Sequence, residues 1–375
     1  MRVLHLYTNP HLTNGATIFE YRVSGFLIKD NIYFDYLVTE EPTEEERERF
    51  KKQGSQIYQL PIDNNHGIFI RELKINYQYF RFFKQHKYRM VYADTENSLR
   101  AIHLLMAKIA GIKIRVVHSH NTGLQTQNKY SKALAKLIKN LFMLSATDYF
   151  ACSDAAAEWL FPKKIYKQKS YSLVKNGVDL EYFQYNNVTR NEIRKNLGFN
   201  KDDIVIGHVG RFMPQKNHKL LLNIFSALYS VNKNVKLLLV GSGPLENQIH
   251  EQVRQQNLQE RVTFAGTTQN ICPYYQAMDV FLMPSLFEGL PITGIEAQAN
   301  GLPCVFSDSI THELKITDLV TYVPLSAAPE KWAEIVLSEY KKGRRDCSKQ
   351  IITNGYSIMD TVANLRKFYL ERLNL

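Results

Sequence analysis

The sequence predicts an α/β protein made of two doubly wound domains. Three observations carry this. A chain of 375 residues is longer than one ordinary core fills. Short apolar strands alternate with helical patterns through both halves, which implies parallel sheets covered on both faces. An Asn-Gly turn at Asn176-Gly177 separates the two runs.

In the first run, Val3–Tyr7 reads as a buried strand. A loop through Asn14-Gly15 leads to a helix near Thr17–Lys29, and Phe34–Val38 is a second strand. Thr43-Glu44-Glu45-Glu46 has the form of a capping box, in which the Thr hydroxyl and the Glu carboxylate each take a backbone N–H at the start of a helix. Met90–Tyr92, Ile114–His118 and Asp148–Cys152 are further strands, the last followed by a helix from Ser153 or Asp154.

The second run begins after residue 190. Ile204–Val209 is a strand, then a helix spans about Asn217–Ser230. Lys236–Val240 follows, and Gly241-Ser242-Gly243-Pro244 turns into the helix Leu245–Gln256. Val262–Ala265 is a strand, Cys272–Met278 a short helix, Val280–Met283 a strand, and Cys304–Ser307 another. Between the last two lies a helix holding Glu296, with Pro291 in its first turn, where a missing N–H costs nothing. Met359–Leu375 reads as an amphipathic helix with Val362, Leu365, Phe368 and Leu370 on its apolar side. No internal sequence repeat is visible.

Apolar residues make up 45% of the chain, which suits a folded protein. The four cysteines, Cys152, Cys272, Cys304 and Cys347, form no C-x-x-C pair, which argues against a zinc site or disulfide framework and fits a reducing compartment. The N-terminal apolar stretch is shorter than that of a signal peptide, and no run of about 18 apolar residues is present. The expected location is the cytoplasm. The net charge of +11 is concentrated: residues 71–175 hold 19 Lys+Arg against 6 Asp+Glu. Such a block fits an anionic partner (membrane headgroups, nucleic acid or a phosphorylated acceptor) or a well-solvated surface. Lys129, Lys132, Lys136 and Lys139 share one helical face, and Tyr77–Tyr88 mixes Tyr79, Phe80, Phe82 and Phe83 with Arg81, Lys84 and Lys87. Basic helices with aromatic content can rest on anionic lipid; either helix could equally be a solvated face over a core.

The segment Phe287–Glu296 is the chemical centre. It follows a strand and places Glu288 before a helix start and Glu296 within it, about 7–8 Å along the axis. Free N–H groups at a helix start suit phosphate. The distance from there to Glu296 matches that from a diphosphate to ribose hydroxyls, and Glu288 could reach a sugar. Gly210-Arg211-Phe212-Met213-Pro214-Gln215-Lys216 follows the first strand of the second run, at the edge where such sheets bind ligands. Two cations on one loop there could converge on a diphosphate, each contact worth on the order of 4 kcal/mol before desolvation. They could replace a metal ion in stabilising a leaving diphosphate, and the chain contains no D-x-D triplet. Gly241-Ser242-Gly243-Pro244 is neither G-x-G-x-x-G nor a P-loop and reads as a tight turn. His118-Ser119-His120-Asn121 ends a strand of the first run, where a histidine, His120 above all, could bond a substrate hydroxyl or phosphate. Gly15 lies in the equivalent place after the first strand and would allow close backbone approach.

Together these motifs resemble the retaining glycosyltransferase family 4, whose fold is GT-B, two Rossmann-like domains facing a central cleft. Glu288 and Glu296 match its E-x7-E motif, and Arg211 and Lys216 its G-R-x4-K loop. Val174–Phe183 resembles its inter-domain segment, with Lys175 where proline is usual, and Leu239–Leu245 its V-G-x-G-P-L turn. The N-terminal part is looser; His118–Asn121 is similar to members that build bacterial capsules or exopolysaccharides. The resemblance implies an acceptor-binding domain over residues 1–178 and a donor-binding domain over 179–356, with the helix 357–375 packing back on the first. It implies that Arg211 and Lys216 hold the donor diphosphate, Glu296 the ribose, and Glu288 with Gly289 and Leu290 the donor sugar. Thr293 belongs to the same donor-binding segment. Gly15 would approach the phosphates and His120 the transferred sugar. The expected activity is metal-independent transfer with retention from a nucleotide sugar, most commonly a UDP-sugar, to a lipid-linked saccharide at an anionic membrane face. Asn14-Gly15 departs from the usual glycine pair, and Ser309–Glu313 lacks the usual glycines. A nucleotide-sugar epimerase is the alternative within enzymes. A nucleic-acid-binding protein, suggested by a pI of about 9.2, would leave Glu288, Glu296, Arg211 and Lys216 without a purpose.

Overall fold

Among the described residues, every pairing between named strands is parallel. The structure, a computed structural model, describes residues 1–7, 15–61, 68–95, 98–120 and 138–373. Two units emerge: Met1–Asn176 with Met359–Leu375, and Gly177–Ile358.

The first unit holds β1 (Arg2–Leu6), β2 (Tyr33–Val38), β3 (Ile57–Gln59), β4 (Met90–Thr95), β5 (Ile114–Ser119), β6 (Asp148–Ala151) and β7 (Ser172–Leu173). They form one sheet in the order β3-β2-β1-β4-β5-β6-β7. The second unit holds β8 (Ile204–Val209), β9 (Val235–Val240), β10 (Val262–Phe264), β11 (Val280–Met283), β12 (Cys304–Ser307) and β13 (Val320–Val323), ordered β10-β9-β8-β11-β12-β13. In both sheets the strand order reverses after the first strand, between β1 and β4 and between β8 and β11. Loops leaving the carboxyl ends of those strands diverge and open a crevice, where ligands of such sheets bind.

Central strands are buried along their whole length, as helices on both faces require: β4, β5, β8, β11 and β12 expose no residue. The core of the second unit runs from Ile206 and Leu237 on the sheet to Phe225 on the helix His218–Val231 and Trp332 on Pro329–Lys342. The capping box is present: Glu46 N donates to Thr43 Oγ1 at 3.3 Å and Thr43 N to Glu46 Oε2 at 2.9 Å. Ser153 caps the helix Asp154–Leu160 through Ala156 N at 3.1 Å.

The helix Ile358–Leu373 belongs to the first unit. Its buried stripe is Val362, Leu365, Tyr369 and Leu373. The sequence reading chose Phe368 and Leu370, which are only half-buried; a 3.6-residue period from Leu365 reaches Tyr369 instead. Tyr369 meets Phe34 edge-on at 5.6 Å, and Arg366 and Arg372 pair with Asp30 and Asp148 at 2.6 and 2.9 Å.

Two expectations about the basic helices need correction. Tyr79, Phe82 and Phe83 of the helix Ile68–His86 point into the core and are not available to lipid. Among the described residues of that helix, the exposed apolar side chains are Ile70, Leu73 and Tyr77, at 48%, 58% and 61% exposure. Lys139 lies in a 3-10 turn, and its ammonium donates to the carbonyls of Glu158 and Trp159 at 2.8 and 2.9 Å, at the end of the helix Asp154–Leu160. Lys129, Lys132 and Lys136 lie outside the described residues.

Candidate active site

In the second unit, the loop after β8 and the loop after β11 are joined by hydrogen bonds and an ion pair. Pro214–Lys216 makes one 3-10 turn, which Asn217 ends in the left-handed region at φ 54°. Leu286 N donates to Gln215 O at 2.8 Å, and Asn217 Nδ2 to Pro284 O at 3.2 Å. Gln215 Nε2 donates to Phe287 O at 2.9 Å and to Glu288 Oε2 at 3.2 Å. Lys216 Nζ lies 2.7 Å from Glu288 Oε1, with the two side chains 14% and 8% exposed. The two residues expected to hold phosphate and sugar thus hold one another. Arg211 is exposed and makes no ion pair among the described residues.

The glycine turns set how closely the loops approach. Gly241 sits at φ +140°, and a Cβ there would lie 2.1 Å from Gly210 O. A Cβ on Gly243 would lie 2.7 Å from Phe212 O, and on Gly210 3.0 Å from Lys216 Cε. The Gly241–Pro244 turn therefore braces the cationic loop by direct backbone contact. Beneath Lys216 lie two buried histidines, His208 and His218, with ring centroids 5.1 Å apart. Burial, and then the Lys216 charge, push the His218 imidazole down to about 4. Burial and His218 push His208 well down in the same direction. Both are neutral at neutral pH and leave Lys216 and Arg211 as the loop's cations.

Beyond β11, Glu288 bridges to Ile310, and Gly289 and Leu290 are buried behind it. Pro291 lies one position earlier than expected: it is the N-cap of the helix Ile292–Ala299, at ψ 119°, not part of its first turn. Thr293 is half-buried, and its hydroxyl oxygen has no hydrogen-bond partner. Glu296 is buried in that helix, and one carboxylate oxygen accepts from the Tyr275 hydroxyl at 2.9 Å. Tyr275 also donates to Thr293 O at 3.2 Å. Sequence reasoning missed Gln215, although it lies inside the cationic motif, and Tyr275, whose link to Glu296 crosses 21 residues.

In the first unit, Gly15 opens the helix Gly15–Leu27; Asn14 and Asn121 lie outside the described residues. His118 and His120 extend from β5 toward Asp94 on β4. His120 Nε2 is 2.7 Å from Asp94 Oδ1, and His118 Nδ1 is 3.6 Å from the same oxygen and 2.9 Å from the Tyr92 hydroxyl. His5 Nδ1 lies 3.3 Å from Asp94 Oδ2. Ser119 is structural, its hydroxyl donating to Ala156 O at 2.8 Å. Burial would raise the Asp94 carboxyl, but the facing imidazoles of His118, His120 and His5 outweigh it and hold the group well below its ordinary value. Glu20 is buried nearby, and burial, then the Asp94 charge, push it well above its ordinary value. One donor atom each from Glu20, Asp94, His118 and His120 lies within 4.8 Å of the others, a group that could hold a metal ion. Asp94 and Glu20 were not singled out by sequence reasoning; the polar end of the apolar run Met90–Thr95 was the available signal.

Comparison with known proteins bears on the fold and the family. The chain matches the family described as glycosyl transferases group 1 over residues 189–355. It is 33% identical to the putative glycosyltransferase EpsF of Bacillus subtilis, across 98% of this chain and 96% of that one. It is 25% identical to the Escherichia coli UDP-Gal:alpha-D-GlcNAc-diphosphoundecaprenol alpha-1,3-galactosyltransferase, over 80% of each chain. The crystal structure of Anabaena HepE in complex with UDP-glucose superimposes with a TM-score of 0.77 at 17% identity, covering 99% of this chain and 100% of that one. The fold is GT-B, two parallel-sheet Rossmann-like domains.

Proposed function

Because the chain belongs to the group 1 glycosyltransferases, we propose that it is a retaining, metal-independent enzyme of glycosyltransferase family 4. In this reading it moves a sugar from a UDP-sugar to a lipid-linked saccharide in cell-surface polysaccharide synthesis. The carrying observation is the Lys216–Glu288 pair at 2.7 Å, cross-tied by Gln215 and flanked by exposed Arg211.

Donor binding exchanges partners at this pair. The Lys216 ammonium turns to the diphosphate alongside Arg211, and the Glu288 carboxylate is freed to accept from sugar hydroxyls. Two fixed cations offset the charge that builds on the leaving diphosphate as its bond to the anomeric carbon breaks. The acceptor hydroxyl forms the new bond on the same face, and its proton passes to the leaving phosphate oxygen. Glu296, held by Tyr275, takes the ribose hydroxyls. His120 contacts the transferred sugar and Gly15 approaches the phosphates.

The donor and acceptor classes draw support from the names of the relatives, one a galactosyltransferase using UDP-Gal and a diphosphoundecaprenol acceptor. Exposed Ile70, Leu73 and Tyr77 recur at helical spacing beside Lys74, Arg81 and Lys84, a surface suited to anionic lipid. We place the enzyme at the cytoplasmic membrane face on that basis; no helix among the described residues is long and apolar enough to cross a membrane.

The test is a screen of UDP- and GDP-sugars with a polyprenyl-diphosphate saccharide acceptor, with and without EDTA, reading the anomeric configuration of the product by NMR. Retained configuration and undiminished turnover in EDTA are expected. Inverted product, dependence on Mn²⁺ or Mg²⁺, or epimerised donor without transfer would each refute the corresponding part of the reading.

A further inference from the structure

We propose that Asp94 is a positioning residue: it fixes the His120 imidazole with Nε2–H turned inward, so that Nδ1 is presented as an acceptor to a hydroxyl of the bound sugar. The inference rests on the reading of His120 as a sugar contact and adds the group that sets its tautomer.

The backbone dictates the encounter. β4 and β5 pair with Asp94 opposite His118, so His120, two residues on, projects from the same face of the sheet. The side chains of His120 and Asp94 are 7% and 3% exposed and meet at 2.7 Å. His5, on β1, holds the second Asp94 oxygen at 3.3 Å, so the carboxylate is clamped from both sides. An ionised carboxylate can only accept hydrogen bonds. Nε2 of His120 therefore carries the proton, and a neutral ring then leaves its lone pair on Nδ1. The opposite tautomer would offer Nδ1–H and could only donate to a sugar oxygen. Which nitrogen is protonated is decided by the partner of the other.

Glu20 completes the picture. Neither of its oxygens has a hydrogen-bond partner, although the residue is 1% exposed. Burial, then the Asp94 charge, both favour the neutral form of Glu20, which leaves Asp94 as the anion facing the three imidazoles. A metal ion held by the same donor atoms is the competing account. It is weaker, because the His120 nitrogen facing Asp94 already sits at hydrogen-bond distance, and His118 Nδ1 is engaged by Tyr92.

The decisive measurement is ¹⁵N NMR of the intact protein labelled at histidine, with the His120 signals assigned by their loss in His120→Gln. Protonated Nε2 and lone-pair Nδ1 are expected; a protonated Nδ1 overturns the proposal. In kinetics, Asp94→Asn should lower kcat/KM by about 10²-fold with donor KM within about twofold, and cost nothing further in a His120→Gln background. Additive losses would overturn the positioning role while leaving His120 as a sugar contact. Full turnover in His120→Gln alone would instead remove the sugar contact itself. Stoichiometric metal in the purified protein, lost in His120→Gln, would replace the hydrogen-bond account. Should Asp94→Asn fail to fold by circular dichroism, the tautomer measured in the unaltered chain still decides.

Discussion

Lys216 and Glu288, 72 residues apart in sequence, form a nearly buried ion pair. Removing one partner strands the other. Lys216→Ala should cost on the order of 3 kcal/mol of stability, much of which Lys216→Met with Glu288→Gln should restore, since a neutral pair leaves no uncompensated charge. Thermal melts of the single and double variants check this. The single variant should also lose about 10²–10³-fold in kcat/KM, and the rise in melting temperature expected of the unaltered chain on adding UDP should be absent from it.

Tyr275 and Glu296 separate orientation from contact. If Glu296 takes the ribose, Glu296→Gln should raise donor KM with little change in kcat. Tyr275→Phe removes the bond that orients the carboxylate, together with the longer one to Thr293 O, and should weaken donor binding by about fivefold to tenfold, as for one hydrogen bond of about 1 kcal/mol. Equal effects on kcat from both would show that Glu296 acts on the transition state instead.

Buried histidines set an acid limit on stability. His218 falls from an ordinary 6.5 to about 4 in the folded chain. Between those values the unfolded state binds the extra proton, so stability is full above about 6.5 and is lost as pH falls toward 4. The loss from this residue is on the order of 3 kcal/mol across that window. His208 shifts in the same direction and deepens it. Melting temperature measured from pH 8 to pH 4.5 should fall, and His218→Gln should flatten the curve.

Two glycines on neighbouring turns should respond differently. Gly241→Ala drives a methyl against the Gly210 carbonyl and demands a strained φ of +140°, so both stability and donor binding should collapse. Gly266 at φ +66° has nothing within 4 Å of an added Cβ. Gly266→Ala should cost only about 1 kcal/mol of backbone strain, with donor KM unchanged. Calorimetry and UDP titration distinguish them.

Replacing Ile70, Leu73 and Tyr77 together by Ser should lower binding to anionic vesicles by about tenfold or more, while turnover on a short water-soluble acceptor is retained. Unchanged vesicle cosedimentation would exclude this helix as the lipid contact.

Much of this was legible in the chain. β8, β11 and β12 are mostly apolar runs, broken only by Gly207 and His208 in β8 and ending on Ser307 in β12, and their limits in the sequence and the structure coincide. The strands β3, β7 and β13 escaped notice. They are the edges of their sheets or short additions to them, partly exposed, and so carry neither a long apolar run nor clean alternation. The motifs carrying Arg211, Lys216, Glu288 and Glu296 were visible because local spacing defines them. Their cross-links were not. Gln215 to Glu288, Tyr275 to Glu296 and Asp94 to His120 depend on strand order, which brings the ends of non-adjacent segments together.

The helix Ile358–Leu373 buries Leu365 and Tyr369 in a unit whose other residues end at Asn176. During synthesis, the ribosome must therefore deliver more than 180 further residues before the first unit can close its core. The second unit is contiguous from Gly177 to Ile358 and waits for no later segment, whereas the first waits with Phe34 and Tyr92 uncovered by Tyr369. Chaperone dependence of the nascent chain should accordingly trace to the segment translated first.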